Sequence, residues 1–220
     1  MGLVALLTRT TVGKKAVMAV TGIVLLTYVT VHMLANLKAF FGPSSLDGYG
    51  RWLRELLEPV FGHEGLLWLL RFGLLVSVVL HLVMAAQLTR RAHAARPVGY
   101  RYRPRVQGSY AARTMRWGGV IIALFVVYHV LDLTAGVLNP HGVPGESYAN
   151  VAAGFRQWYV VLAYTVAVVA LGFHLWHGVW SALRSLGVDA VARPVAVGYA
   201  VVITVGFLSV PYAVLFGVIR

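Results

Sequence analysis

The sequence predicts an all-α integral membrane protein of five transmembrane helices, the first four forming a bundle with a histidine-lined interior and the N-terminus in the cytoplasm. Three observations predict it. Hydrophobic residues make up 59% of the chain and charged residues 12%, with a mean hydropathy of +0.76, far outside the range of soluble domains. Five nearly uncharged runs are each long enough for the roughly 20-residue helix that a bilayer requires. Four of them carry a histidine deep in what should be hydrocarbon: His32, His81, His129 and His174, with His177 one turn beyond the last. An imidazole there is costly unless something binds it, so the pattern points to a buried cofactor.

The runs fall at about residues 16–37, 65–89, 115–138, 157–183 and 194–219. Five spans use most of the 220 residues as a single membrane domain, 1–220, and leave extramembrane catalysis to a partner. The first run follows Lys14-Lys15 and is too long for a signal-peptide core, so it is expected to be retained; Gly2–Leu7 before it is expected on the membrane surface. Between the first two runs, the outer loop from Lys38 to Glu64 holds an amphipathic stretch over Tyr49–Val60, read as a surface helix. The second run carries His81 and ends at Arg90-Arg91, the third carries His129, and the fourth carries His174 and His177. The fifth has neither histidine nor charge, opens at Pro194 and contains Pro211; it is expected to pack outside the bundle, face lipid and kink at the proline. Gly22, Gly73, Gly118, Gly119, Gly172 and Gly206 lie inside the runs, where glycine admits close approach of a backbone or a flat cofactor.

Charge sets the orientation. Nineteen Lys and Arg against seven Asp and Glu leave a net charge of +12. Arg9, Lys14 and Lys15 precede the first helix, eight arginines crowd the region from Arg90 to Arg116, and Arg184 and Arg193 flank the fourth loop. These segments share one side, which the positive-inside rule makes cytoplasmic, while Asp47, Glu55, Glu58, Glu64, Asp132 and Glu146 lie on or toward the other. The Arg96–Arg116 loop interleaves Tyr100, Tyr102 and Tyr110, a basic and aromatic mixture that suggests single-stranded nucleic acid in isolation. Its place between two spans instead makes it a topology signal with anionic lipid contact and a docking surface for a soluble partner, with no nucleic acid.

Cysteine is absent, which excludes disulfides, thiolate metal sites, iron–sulfur ligation and covalent haem attachment. Histidine is the remaining metal ligand. His81 lies nine residues before Arg90 and His174 ten before Arg184, about 14–15 Å from the cytoplasmic ends; His32 and His129 lie on the order of 20–25 Å deep. A bis-histidine haem needs two imidazoles from different helices at one depth. Depth therefore pairs His81 with His174 around an inner haem and His32 with His129 around an outer one. The four histidines would ligate iron in two noncovalent b haems, about 10 Å apart vertically, in a haem-binding bundle. His177 shares a face with His174 and is assigned a secondary role toward a propionate, a quinone or a hydrogen bond.

Four stretches carry a resemblance over essentially the whole chain: Thr21-Gly22 through His32-Met-Leu-Ala-Asn36; the His81 segment into Arg90-Arg91; Tyr128-His129-Val-Leu-Asp132; and Phe173-His174-Leu-Trp-His177-Gly178-Val-Trp180-Ser181. They resemble the diheme cytochrome b membrane-anchor subunit of succinate dehydrogenase and fumarate reductase, in its five-helix single-subunit class. The resemblance implies a flavoprotein subunit, an iron–sulfur subunit that passes electrons through the haems, a menaquinone or ubiquinone acceptor, and a place in the cell inner membrane. It supports His174 over His177 as ligand. Quinol:fumarate reduction, or the cytochrome b of a hydrogenase or formate dehydrogenase, are the alternatives; a haem-free transporter using histidines as proton relays is the more distant one.

Within this reading, Ala85 and Gly178 are small residues on ligand faces, and Asn36 bonds either a propionate or a helix carbonyl. Arg71, Arg90, Arg91, Trp117 and Trp180 are candidate propionate donors. Asp132 serves either proton exchange or as an interfacial acid wetted from outside. Glu58, His63 and Glu64 are candidates near an outer quinone, and Thr21, Gln87, His177 and Ser181 near an inner one.

Overall fold

The computed structural model describes residues 9–95, 110–185 and 187–220. The Gly2–Leu7 stretch and the loop residues from Arg96 to Arg105, Tyr100 and Tyr102 included, lie outside the described residues.

Helix α1 (Thr11–Asn36) starts where the Thr10 hydroxyl accepts from the Gly13 amide at 2.9 Å, satisfying one of the donors a helix start leaves free. A 3₁₀ turn, Leu37–Phe41, extends it to Gly42, whose φ of 86° ends it. The outer loop then forms α2 (Pro43–Glu55) and a single turn, α3 (Glu58–Phe61), with Leu57 between them at φ 56°. The surface helix expected over Tyr49–Val60 is therefore two pieces. Helix α4 (Gly65–Ala94) follows. Helix α5 (Tyr110–His129) begins five residues before its apolar run and closes in a π turn, Val130–Thr134, before Gly136 at φ 73°. Val137 and Leu138 thus fall outside the helix although hydropathy alone includes them.

Short α6 (Ser147–Phe155) packs against α2 on the outer side, its Tyr148 amide donating to Asp47 Oδ1 at 2.9 Å. Helices α7 (Trp158–Ser185) and α8 (Ala192–Leu215) complete the chain. Among the described residues, five helices are long and apolar enough to cross a membrane. Ile23, Leu75, Leu124, Val127 and Val202 are all exposed along them, an apolar belt that only lipid can cover. The chain is an all-α, multi-pass membrane protein.

Packing is uneven. α4 lies along α1, α5 along α7, and α7 along α8, which also touches α1; direct packing between the α1/α4 pair and the α5/α7 pair is slight. The best-buried side chains gather where α8 meets its neighbours: Met33, Leu175, Ala200 and Ile203 at mid-height, and Phe155, Val161, Tyr164, Val210 and Val214 toward the outer end. The fifth membrane helix, expected on the outside facing lipid, does expose Val201, Val202 and Val205, but its other face is part of this core. Ala192, Ala196 and Ala200 recur every four residues on that buried face, small enough to let backbones approach. Two hydroxyl pairs cross to neighbouring helices, Thr30 with Tyr199 at 2.6 Å and Thr165 with Tyr212 at 3.2 Å.

At Gly172 α7 comes close to α8, since a Cβ there would run into Thr204 Oγ1. Gly172→Val is expected to cost about 1–3 kcal/mol through overpacking. Gly198→Val on α8, where nothing lies within 4 Å of the added Cβ, loses the same glycine without the collision. Thermal unfolding in detergent should show a lower midpoint for the first than for the second.

Candidate cofactor site

The seam between the two helix pairs is crossed by histidines. On the inner level His81 of α4 faces His174 of α7, ring centroids 6.3 Å apart with planes at 60°. On the outer level His32 of α1 faces His129 of α5 at 5.7 Å and 82°. The structure brings together the residues that depth counting paired.

Each level has its own support. Thr21 Oγ1 donates to the Val17 carbonyl at 2.8 Å and lies 3.3 Å from His81 Nδ1. With the hydroxyl proton committed to the carbonyl, Nδ1–H is the donor of that contact and the lone pair of His81 resides on Nε2. Gly22, next along α1, keeps the ring close: an added Cβ would stand 3.4 Å from His81 Cε1. His174 Nδ1 and His177 Nδ1 are both buried with no hydrogen-bond partner among the described residues. His177 lies 5.8 Å from the Trp180 ring rather than across the seam.

The outer level is held by a chain of bonds. Tyr164 OH donates to Asp132 Oδ2 at 2.9 Å and lies 3.1 Å from His129 Nδ1. Since the phenol proton goes to the carboxyl, Nδ1–H donates to Tyr164 and the His129 lone pair again rests on Nε2. Asn139 Nδ2 donates to Asp132 Oδ1 at 3.0 Å and to the Asn150 carbonyl at 3.1 Å, tying the loop after α5 to the same carboxyl. Asp132 is 1% exposed. Of its two expected roles, the acid wetted from outside is thereby corrected: the π turn and the Asn139 loop roof it over. His32 stacks on Tyr28 at 5.3 Å and lies 5.8 Å from Phe207, so α8 also reaches this level.

Tyr164 and Phe207 were not singled out from the sequence. A hydroxyl-bearing aromatic in an apolar run reads equally as a lipid-interface residue, and nothing local distinguishes it. The sequence offers Thr21 only as one of several candidates near an inner quinone; its contact with His81 is decided by how α1 meets α4.

The two levels lie farther apart than the depth count suggested. Thr21, beside His81, precedes His32 by eleven residues of α1, and Tyr164, beside His129, precedes His174 by ten residues of α7. The two rulers give about 15–17 Å rather than about 10 Å.

The other candidates are distributed as follows. Arg91 donates to Thr11 Oγ1 and the Arg9 carbonyl, and Arg184 lies over the Trp180 ring. Arg71 lies over Trp68, 4.0 Å from Glu64, which Arg54 holds at 3.0 Å; His63 is 3.8 Å from Glu58. These outer acids and bases pair with one another. Asn36 is the last residue of α1, Ala85 lies on α4 one turn beyond His81, Arg90 and Trp117 are exposed, and Ser181 follows His177 by one turn on α7. Gln87 accepts from Lys14 Nζ. Gly178 has open space where a Cβ would stand. A mostly apolar cleft of about 200 Å³ opens between α5 and α7 beside His174, lined also by Tyr110, Thr114, Trp117, Gly118 and Phe173.

The donor set limits what the seam can hold. Among the described residues no group of three or more His, Cys, Asp or Glu side chains converges, so a bare ion lacks the ligands it needs. Two facing imidazoles from different helices at each level are residues that would hold a metal carried by an organic cofactor.

A family model described as "Succinate dehydrogenase/Fumarate reductase transmembrane subunit" matches residues 89–213. No curated protein and no solved structure matches the chain. The matched segment contains His129, Asp132, Tyr164, His174 and His177, and it covers more than half of the 220 residues. The chain belongs to the succinate dehydrogenase/fumarate reductase transmembrane subunit family.

Proposed function

We propose that this subunit holds two b haems and conducts electrons from the iron–sulfur subunit of a succinate dehydrogenase to a membrane quinone. The observation that carries the proposal is the pair of histidine contacts across the sparsely packed seam, each joining imidazoles from two different helices. His81 and His174 would hold the inner haem and His32 and His129 the outer one. The haems would supply one-electron transfer through the bilayer, and the chain would hold and orient them.

Thr21 and Tyr164 orient one ligand at each level and reserve its Nε2 for iron, while Asp132 holds Tyr164. The flavoprotein subunit would oxidise succinate on the cytoplasmic side, where the basic segments fall under the positive-inside rule. Electrons would then meet the inner level first, in the cell inner membrane with the N-terminus inside. The cleft beside His174 opens toward lipid and is lined by apolar side chains with the hydroxyls of Tyr110 and Thr114, suitable for the head of menaquinone or ubiquinone. The family includes fumarate reductases, and the same residues serve the opposite flux.

The test is the purified complex. It should contain flavoprotein and iron–sulfur subunits, show reduced-minus-oxidised bands of b haem extractable by acid acetone, and carry two haems per chain of this subunit. One haem or none rejects the proposal. A nickel or molybdenum partner in place of the flavoprotein would assign the subunit to a hydrogenase or formate dehydrogenase instead.

A further inference from the structure

Lys14 is 6% exposed at the cytoplasmic rim of the bundle, and its ammonium reaches a neutral group, the Gln87 carbonyl of α4. Among the described residues it forms no ion pair. The chain cannot easily provide one. Of its seven acidic residues, Asp47, Glu55, Glu58, Glu64, Asp132 and Glu146 belong to the outer half, and Asp189 is bound by Arg184 at 2.8 Å. Arg91, beside Lys14 on the α1/α4 contact, likewise donates to neutral oxygens among the described residues, Thr11 Oγ1 and the Arg9 carbonyl. A shielded ammonium without an anion is costly, and this one lies next to a second cation.

Lys14 precedes Thr21, the residue that holds His81, by seven residues. That is two helical turns, about 10 Å, with both residues on one face of α1. A porphyrin whose iron is held at the His81 level would extend its edge and carboxylate arms over about that distance. We infer that Lys14, aided by Gln87, is the anchor for a propionate carboxylate of the inner haem. This rests on the haem reading above and adds to it a residue that no ligand motif identifies. Lipid phosphate is the other anion available at this height. Burial between α1 and α4 favours a group that lies within the fold over one that approaches from outside, whereas exposed Lys15 next in sequence suits a headgroup.

The experiment compares Lys14→Gln, Lys14→Arg and Lys15→Gln in the assembled complex, by redox titration of each haem and by haem content. The inner haem is identified as the one lost in His81→Ala. Lys14→Gln should lower the inner midpoint potential, because losing a nearby cation disfavours electron addition. It should also raise the rate of haem loss to an apoprotein acceptor several-fold, with the outer haem unchanged. Lys14→Arg should retain the potential, and Lys15→Gln should match wild type. Equal potentials and haem loss in Lys14→Gln and Lys15→Gln overturn the inference and leave the diheme reading standing. Equal damage from Lys14→Arg and Lys14→Gln also overturns it, since packing rather than charge would then be responsible. The measurements are repeated in vesicles of phosphatidylcholine alone and with phosphatidylglycerol added. An effect confined to the anionic vesicles assigns the anion to lipid and overturns it; an effect in both supports it. A complex without haem removes this inference together with the proposed function.

Discussion

His81→Ala or His174→Ala is expected to remove one haem from the purified complex and leave the other, and His32→Ala or His129→Ala the reverse. Each pair joins imidazoles across helix pairs whose direct packing is slight among the described residues, with ring centroids 6.3 Å and 5.7 Å apart. Removing one imidazole would take away one of the two residues that hold the haem at that level, together with the cross-seam contact. Low-temperature difference spectra and haem-to-protein ratios read the outcome directly. Under the proposed function electrons meet the inner level first, so loss of that haem should reduce succinate-driven quinone reduction to background. His177→Ala should keep both haems, since its ring contact is with Trp180 on its own helix, whereas His174 meets His81 on α4. If His177→Ala lost a haem and His174→Ala did not, the ligand on α7 would be the wrong histidine.

The second large effect is expected at Asp132. Its carboxyl is 1% exposed and accepts from Asn139 and Tyr164, so Asp132→Ala strands two buried donors, at about 1–3 kcal/mol each. It also frees Tyr164, which orients His129. Asp132→Ala should lower the unfolding midpoint and release the outer haem more readily, without altering the inner one. Tyr164→Phe is the sharper probe. It keeps the ring packing against Phe125 and Phe155, at 4.8 Å and 4.7 Å, and removes only the hydroxyl between His129 and Asp132. The outer haem's potential should shift while haem stoichiometry holds. An outer haem indifferent to both substitutions would show that the bond chain plays no part in presenting His129.

The membrane class and the number of spans were written in the chain, because lipid admits few solutions: every backbone polar group must be satisfied within its own segment, so apolar runs of sufficient length become helices. The histidine pairing was legible for a related reason. A helix converts residue count into depth at a constant rise, and charges mark where the count begins. Boundaries were less legible, since the stop at Gly136 and the break at Leu57 depend on backbone conformations that hydropathy does not register.

What only the tertiary structure decided is which side chains stand behind the histidines. Tyr164 reaches His129 because α7 lies along α5, and Phe207 reaches His32 because the fifth helix packs against α1 rather than merely facing lipid. Asp132 is buried because a π turn and an asparagine-tied loop fold over it. Lys14 meets Gln87 across 73 residues of sequence. Depth along a helix is a one-dimensional quantity that sequence spacing carries. Rotation about the helix axis, and the neighbour it faces, are set by how five helices pack together, and lateral packing in a bilayer rests on small residues and isolated polar contacts rather than on a hydrophobic face that sequence periodicity could reveal.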